Sequence, residues 1–260
     1  MSPNTLRLGI DTSTDVRVGL ADDAGVLASG AVTDNRAHAE QLMSLVNATL
    51  ADAGRTLADV GSIVVGVGPG PFTGLRVGVV TAQTLAFALD VSVRGVCSLD
   101  AIAAGESRDP GVRRDDVGPR DDVGPRDDVG PRDDVGPASS SRARYGLSDA
   151  ADTCGEFLVV SDARRREVYW ARYAADGRRI EGPAVSPVSA LPDLPVVGPG
   201  ADLANGTPTP LDGGVLALAG PSLPDAGLSP LYLRRPDAEV PTTRKSTLLQ
   251  PRLARGATRS

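Results

Sequence analysis

Three stretches of this chain bring together residue types that could do chemistry. The first, Asp11-Thr12-Ser13-Thr14, sets a carboxylate and three hydroxyls in a row behind a short apolar run. At a strand end such a loop can take a phosphate or a hydrated magnesium ion. It can equally be a turn held by its own Asp and Ser side chains. The second, GPGPFTGLR from Gly68 to Arg76, follows an apolar run directly. Gly68, Gly70 and Gly74 permit backbone angles and close approaches closed to other residues, while Pro69 and Pro71 stiffen the loop between them. Thr73 stands where the N-cap of a following helix is expected, so free N–H groups there, with Arg76 beside them, would suit an anion. A rigid strand-to-helix connection would use the same glycines for tight packing. The spacing matches neither a P-loop nor a dinucleotide fingerprint. The third stretch, Arg164-Arg165-Arg166, is either a phosphate patch or a set of solvated arginines on a tight turn.

Other chemistries are excluded by what is scarce. His38 is the single histidine, and Cys97 and Cys154 lie far apart without a CxxC spacing. A histidine-based metal site or a Ser-His-Asp triad therefore has no ligands to use, and two reduced thiols are expected. No catalytic residue and no metal ligand is predicted. The net charge of −6 argues against a protein that grips nucleic acid alone. Four consecutive copies of RDDVGP, Arg114 to Pro137, each carry one Arg and two Asp, so they hold −4 of that charge. The remainder of the chain is nearly neutral.

The elements that must position these residues are legible in the first hundred. Leu6 to Ile10 reads as a buried strand, Val16 to Leu20 and Val26 to Val32 as its hairpin partners, an antiparallel meander. Ala37 to Ala53 is a predicted helix, N-capped by Asn35, with Leu42, Leu45, Val46 and Leu50 on one face. Ser62 to Val67 is a strand, Leu75 to Leu89 a helix, Val91 to Val96 a strand, and Leu99 to Ala104 the start of another helix. This alternation predicts an α/β sheet with crossover connections. From Val77 to Leu89 no residue is charged and apolar side chains fall on every side. One face can lie on the chain's own sheet, so the outer face, with Val77, Val80, Thr84 and Phe87, together with Leu42, Leu45, Val46 and Leu50, is predicted to dock a protein partner.

Residues 106–155 lose the pattern, and the RDDVGP copies carry too little apolar surface to offset the entropy of ordering, so disorder is expected there. A tandem expansion in a tolerant surface loop accounts for them more readily than a calcium-binding repeat. Phe157 to Ser161 and Glu167 to Tyr173 form a predicted hairpin, and Ile180 to Val185 follows. The Pro- and Gly-rich stretch to Pro230 hints only at a short helix over Val215 to Ala219. The chain thus divides into a first lobe (1–105), an insertion (106–155), a second, smaller lobe with a closing segment (156–235), and a loose basic tail (236–260). No apolar run approaches the roughly twenty residues of a membrane helix, and Met1 to Leu8 lacks a secretory pattern, so a cytoplasmic chain without membrane contact is expected.

These pieces, in this order, resemble the TsaB (YeaZ) family. The resemblance is carried by LGIDTST (Leu8–Thr14), AHAEQLM (Ala37–Met43), VGVGPGPFTGLRVGV (Val65–Val79), GVCSLDAIA (Gly95–Ala103), RRREVYWARY (Arg164–Tyr173) and SPLYLR (Ser229–Arg234). It implies an α/β actin-like ATPase (ASKHA, ribonuclease H-like) fold of two lobes. It further implies a non-catalytic subunit that binds and activates the larger paralogue TsaD in threonylcarbamoyladenosine modification of tRNA, joined by the ATPase TsaE. By the same resemblance tRNA is met only through the complex, and the chain alone could homodimerise through its first helices. No cofactor is expected to bind tightly, though ATP or ADP with magnesium could enter the complex. Asp11, Thr12, Ser13, Gly68, Gly70, Thr73, Gly74 and Arg76 are the residues that would meet a nucleotide or phosphate. The alternative is a stand-alone ATP-binding or ATP-hydrolysing protein of the actin-like class. Pro71 stands where the family usually has Ser, which removes a hydroxyl and an N–H from the loop. The tail residues Arg244, Lys245, Arg252, Arg255 and Arg259 could touch tRNA phosphates.

Overall fold

A computed structural model describes residues 5–33, 38–107 and 155–234. Asn35, the RDDVGP copies, Cys154 and the basic tail lie outside the described residues. The first lobe opens as expected: β1 (Leu6–Asp11), β2 (Val16–Ala21) and β3 (Val26–Val32) form an antiparallel meander. The helix α1 (His38–Asp52) then leads to β4 (Val60–Gly66), α2 (Phe72–Leu89), β5 (Ser92–Val96) and α3 (Ser98–Glu106). Both β4 and β5 run parallel to β1, giving the sheet order β3-β2-β1-β4-β5.

The second lobe repeats this plan. A meander of β6 (Phe157–Asp162), β7 (Glu167–Tyr173) and β8 (Arg179–Pro187) is followed by two short strands, β9 (Val196–Gly198) and β10 (Thr207–Pro208). The latter run parallel to β6, so the order β8-β7-β6-β9-β10 matches the first sheet strand for strand. With three and two residues, β9 and β10 are too short to show a period in the sequence.

Period-two alternation decides what each face of the first sheet does. Leu6, Leu8 and Ile10 of β1, with Val16, Val18 and Leu20 of β2, point to one face and are buried beneath α1 and α2. The alternate positions Gly9 and Gly19 point to the other and are directly paired across the two strands. On them sits α4 (Gly213–Ala219), a short helix that returns from the far end of the chain to cover β1, β2 and β3. Its N-cap Asp212 accepts from the N–H groups of Gly214 and Val215 at 2.7 and 3.0 Å. Ser29 of β3 donates to the same carboxylate at 2.8 Å and so fixes the helix start on the sheet.

Between the two sheets α3 and α4 share a core with Val64, Val96, Leu99, Ile102, Val159, Tyr173, Leu211 and Leu216. A polar contact joins the lobes inside it. Asp100 of α3 accepts from the Tyr173 hydroxyl at 2.8 Å and pairs with Arg179 at 3.2 Å. Burial raises the Asp100 carboxyl and pushes the Cys97 thiol up to about 12, so neither is a ready nucleophile or a freely exposed anion.

Two expectations are corrected here. The α2 helix starts at Phe72, with Pro71 in the capping position and no side-chain cap. Thr73 therefore lies inside the first turn and is not the N-cap. The second correction concerns α1: Leu42, Val46 and Leu50 are buried against the sheet and cannot meet a partner, and Leu45 is half-buried. The apolar stripe of α1 belongs to the core because β2 and β3 cover it.

Candidate functional site

The polar loop after β1 and the glycine-rich loop before α2 come together at the ends of the parallel strands. Asp11 is fully buried. One carboxylate oxygen accepts from the Ser13 N–H at 2.8 Å and the Ser13 hydroxyl at 2.6 Å; the other accepts from the Ser98 hydroxyl. Ser98 in turn accepts from the Gly68 N–H at 3.0 Å, so one hydroxyl links β1, the glycine loop and α3. Thr12 donates to the Gly74 carbonyl at 2.8 Å.

The glycines serve this contact. A Cβ on Gly70 would meet the Ser13 carbonyl at 2.6 Å, and one on Gly74 the Thr12 carbonyl at 2.6 Å. One on Gly66 would fall onto the Asp11 carboxylate itself, and one on Gly78 onto the Thr12 hydroxyl. The two loops therefore pack backbone to backbone, with Thr12, Ser13, Gly68, Gly70 and Gly74 all inside. Thr73 and Arg76 point away from this junction and are exposed. Of the residues expected to meet a nucleotide, six form one buried joint and two lie on the surface beside it.

Burial drives the Asp11 carboxyl above the ordinary aspartate range, an effect its hydrogen bonds only partly offset. A pKa raised on folding means that protonation favours the fold. The contribution is full below about pH 4 and is lost as pH rises through the folded value. Asp11→Asn keeps the neutral state at every pH, with the Ser98 hydroxyl able to turn and accept from the new amide. Thermal melts at pH 4 and pH 7 should show the difference between variant and wild type moving in the variant's favour at the higher pH. Movement in the opposite direction would overturn the burial account.

The outer face of α2 is bare beyond Arg76, in line with the charge-free run Val77–Leu89. Phe87 is 90 % exposed and Val80 is 56 % exposed, and Thr84 is open to solvent, its hydroxyl donating to the Val80 carbonyl at 2.8 Å. Val77 is half-buried. By length and composition alone α2 would pass for a membrane span. In the fold its inner side lies on β4 and β5.

Sequence reasoning missed three contributors. Ser98, within GVCSLDAIA, organises the buried joint. Within SPLYLR, which follows α4, Tyr232 returns to the first lobe and Arg234 to the β6–β7 turn of the second. Tyr232 stacks on Phe72 at 4.9 Å between ring centroids, and the Arg76 guanidinium lies over the Phe72 ring at 5.1 Å. Arg234 donates to the Ala163 carbonyl and pairs with Glu167 at 3.1 Å. Recurrence of aromatic and basic types in both motifs was the available signal.

Residues 27–113 match the family model for TsaD, tRNA N6-adenosine threonylcarbamoyltransferase. An uncharacterized protein of Mycobacterium tuberculosis is 39 % identical over 89 % of this chain and 93 % of its own length. The tRNA threonylcarbamoyladenosine biosynthesis protein TsaB of Escherichia coli is 29 % identical over 65 % of this chain, an alignment that spans 55 % of that protein. Among solved structures, YeaZ from Pseudomonas aeruginosa superposes with a TM-score of 0.60 at 23 % identity, covering 88 % of this chain and all of that one. That likeness carries the fold: two mixed-sheet lobes of the actin-like, ribonuclease H-like kind.

Proposed function

This chain belongs to the TsaB (YeaZ) family, and from that premise we propose that it works in threonylcarbamoyladenosine synthesis on tRNA as a non-catalytic subunit. Its task in this reading is to bind and activate a TsaD-type transferase. The observation that carries the proposal is the contrast between the two surfaces a working enzyme would use. The loops that could hold a nucleotide are closed on each other around a buried Asp11, while α2 turns an apolar, almost uncharged face to solvent. A stable monomer gains nothing from keeping Phe87 in water; a subunit that docks through it does. Nucleotide and magnesium, in this reading, belong to the assembly and not to this chain alone. TsaE joins the same assembly, and without the transferase α2 could pair two copies of this chain.

The test is size-exclusion chromatography with light scattering on a mixture of this protein and the TsaD-type protein from the same source. A new peak at the mass of a one-to-one complex is expected. Separate elution with and without ATP and magnesium would reject the proposal.

A further inference from the structure

Residues 223–234, which follow α4, are held to the fold in two different ways. The first part is held as backbone. The Leu223 carbonyl accepts from Arg94 at 2.6 Å, Asp225 bridges Val96 in antiparallel fashion, and Ala226 N–H donates to the Gly95 carbonyl at 2.9 Å. These contacts occupy the outer edge of β5, the last strand of its sheet. A Cβ on Gly95 would strike the Gly227 carbonyl, so the two backbones touch there. At Gly227 the chain turns, with φ at 70° and its N–H donating to the Asp225 carboxylate at 2.8 Å.

Past this turn the anchorage changes. Leu231 N–H donates to the Val67 carbonyl at 2.8 Å, and the remaining attachments are side chains. Leu228 and Leu231 pack, partly buried, against the core. Tyr232 stacks on Phe72, and Arg234 reaches the Ala163 carbonyl and Glu167. Val67 and Phe72 bracket the Gly68–Pro71 loop, so two adjacent residues, Leu231 and Tyr232, clasp both ends of it. Arg234 ends on the β6–β7 turn of the other lobe, where Arg164, Arg165 and Arg166 take positive φ. Val67 follows the carboxyl end of β4 and Ala163 that of β6, and each strand has a parallel neighbour. Sheets of this kind take their ligands outside such strand ends. The tip of the segment therefore sits on that edge in both lobes at once, and it is lightly held. Phe72 is 46 % exposed and Tyr232 39 %, and the Arg234–Glu167 pair is open enough to water to be weak.

A backbone-paired root, a glycine turn and a tip held by partly exposed side chains have the build of a hinged strap. We propose that residues 228–234 are a strap that opens at Gly227 while its root stays on β5, and that its closed position shuts the edge shared by the two lobes. Opening unclasps the Gly68–Pro71 loop and frees the β6–β7 turn, so access to that edge follows the strap. Neither Val80 nor Phe87 takes part, which makes the strap separable from the docking face.

NMR-detected amide exchange on the full chain tests this by comparing Leu231 N–H, at the tip, with Ala226 N–H, at the root. Corrected for intrinsic rates, Leu231 should exchange about 100-fold faster than Ala226, at a rate that urea below the unfolding transition leaves unchanged. Tyr232→Ala removes the stack and should speed Leu231 about tenfold or more, and Gly68 N–H with it, while Ala226 and the melting temperature stay close to wild type. Tyr232→Phe keeps the ring and should behave as wild type. Equal rates at Leu231 and Ala226 in the wild type overturn the proposal, as does a Tyr232→Ala variant in which Leu231 does not speed up. Acceleration at Leu231 without any at Gly68 would mean that the segment covers nothing and overturns it too. So does acceleration spread over Ala226 and the core strands with a fall in melting temperature, which would make Tyr232 a general structural tie.

Discussion

Phe87→Glu is expected to leave the melting curve of this protein unchanged and to abolish its complex with a TsaD-type partner. The first half follows from exposure. At 90 % accessible, the Phe87 ring contributes almost no burial to the fold, so its loss should move stability by no more than about 0.5 kcal/mol. The second half follows from position. At 100° per residue, Phe72, Arg76, Val80 and Phe87 fall within a sector of about 80° on α2, with Gln83 among them. Arg76 is the one charge in that sector. A carboxylate at position 87, about three turns from Arg76, must be desolvated on docking with no cation of this helix in reach, and an aromatic anchor is lost in the same step. Affinity should fall by about 100-fold or more, read by titration calorimetry against the chromatographic complex. Val80→Glu should act in the same direction but less strongly, since Arg76 one turn away can pair with it. Leu42→Ala supplies the contrast, since that side chain fills the core and its truncation should cost about 2–5 kcal/mol of stability. A Phe87→Glu variant that pairs as tightly as wild type would remove α2 from the interface.

Why α2 was legible and α1 was not is a matter of what a pattern can state. A helical run such as Val77–Leu89, without charge on any side, has more apolar surface than one sheet can cover, so an uncovered remainder follows whatever the fold. An amphipathic stripe such as Leu42, Val46 and Leu50 says only that one face is apolar. Whether a sheet or a partner covers it depends on where β2 and β3 lie, which is tertiary information. The meander and the parallel strands after it showed in period-two runs and turn residues. By contrast β9 forms on the free edge of β6 and β10 on the edge that β9 then offers, and their two or three residues carry no period. The charge of Arg164, Arg165 and Arg166 is visible in the chain, but their positive φ is not. The same holds for Thr73: its type suits a cap, while Pro71, with φ already set for the residue before a helix, takes the position.

Gly19→Ala is expected to damage the fold severely, and nothing in the local sequence warns of it. In a strand reading VRVGLA a glycine looks like a weak point that alanine would improve. In the structure a Cβ at this position would overlap the backbone of Gly213 and Gly214, atoms that cannot swing aside as a side-chain end could. Gly9, its cross-strand partner, is filled the same way by Gly213 and Ala217. The helix start cannot slide, because Asp212 caps it and Ser29 holds that carboxylate to β3. Alanine must therefore lift α4 from the sheet, and Leu211 and Leu216 lose their places between the two lobes. The cost should reach about 3 kcal/mol or more, at the upper end for overpacking, because the clash is with main chain. Gly54→Ala is the control: its φ is +64° but nothing lies within 4 Å, so only the backbone penalty of about 1 kcal/mol applies. Urea unfolding of both variants should separate them clearly. Because β1 runs from Gly9 directly to Asp11, the lifted helix also frees the strand that holds the buried loop joint. Amide exchange at Thr12 and Ser13 should accelerate in Gly19→Ala and stay slow in Gly54→Ala. Equal losses in the two variants would mean that α4 is not what closes this sheet.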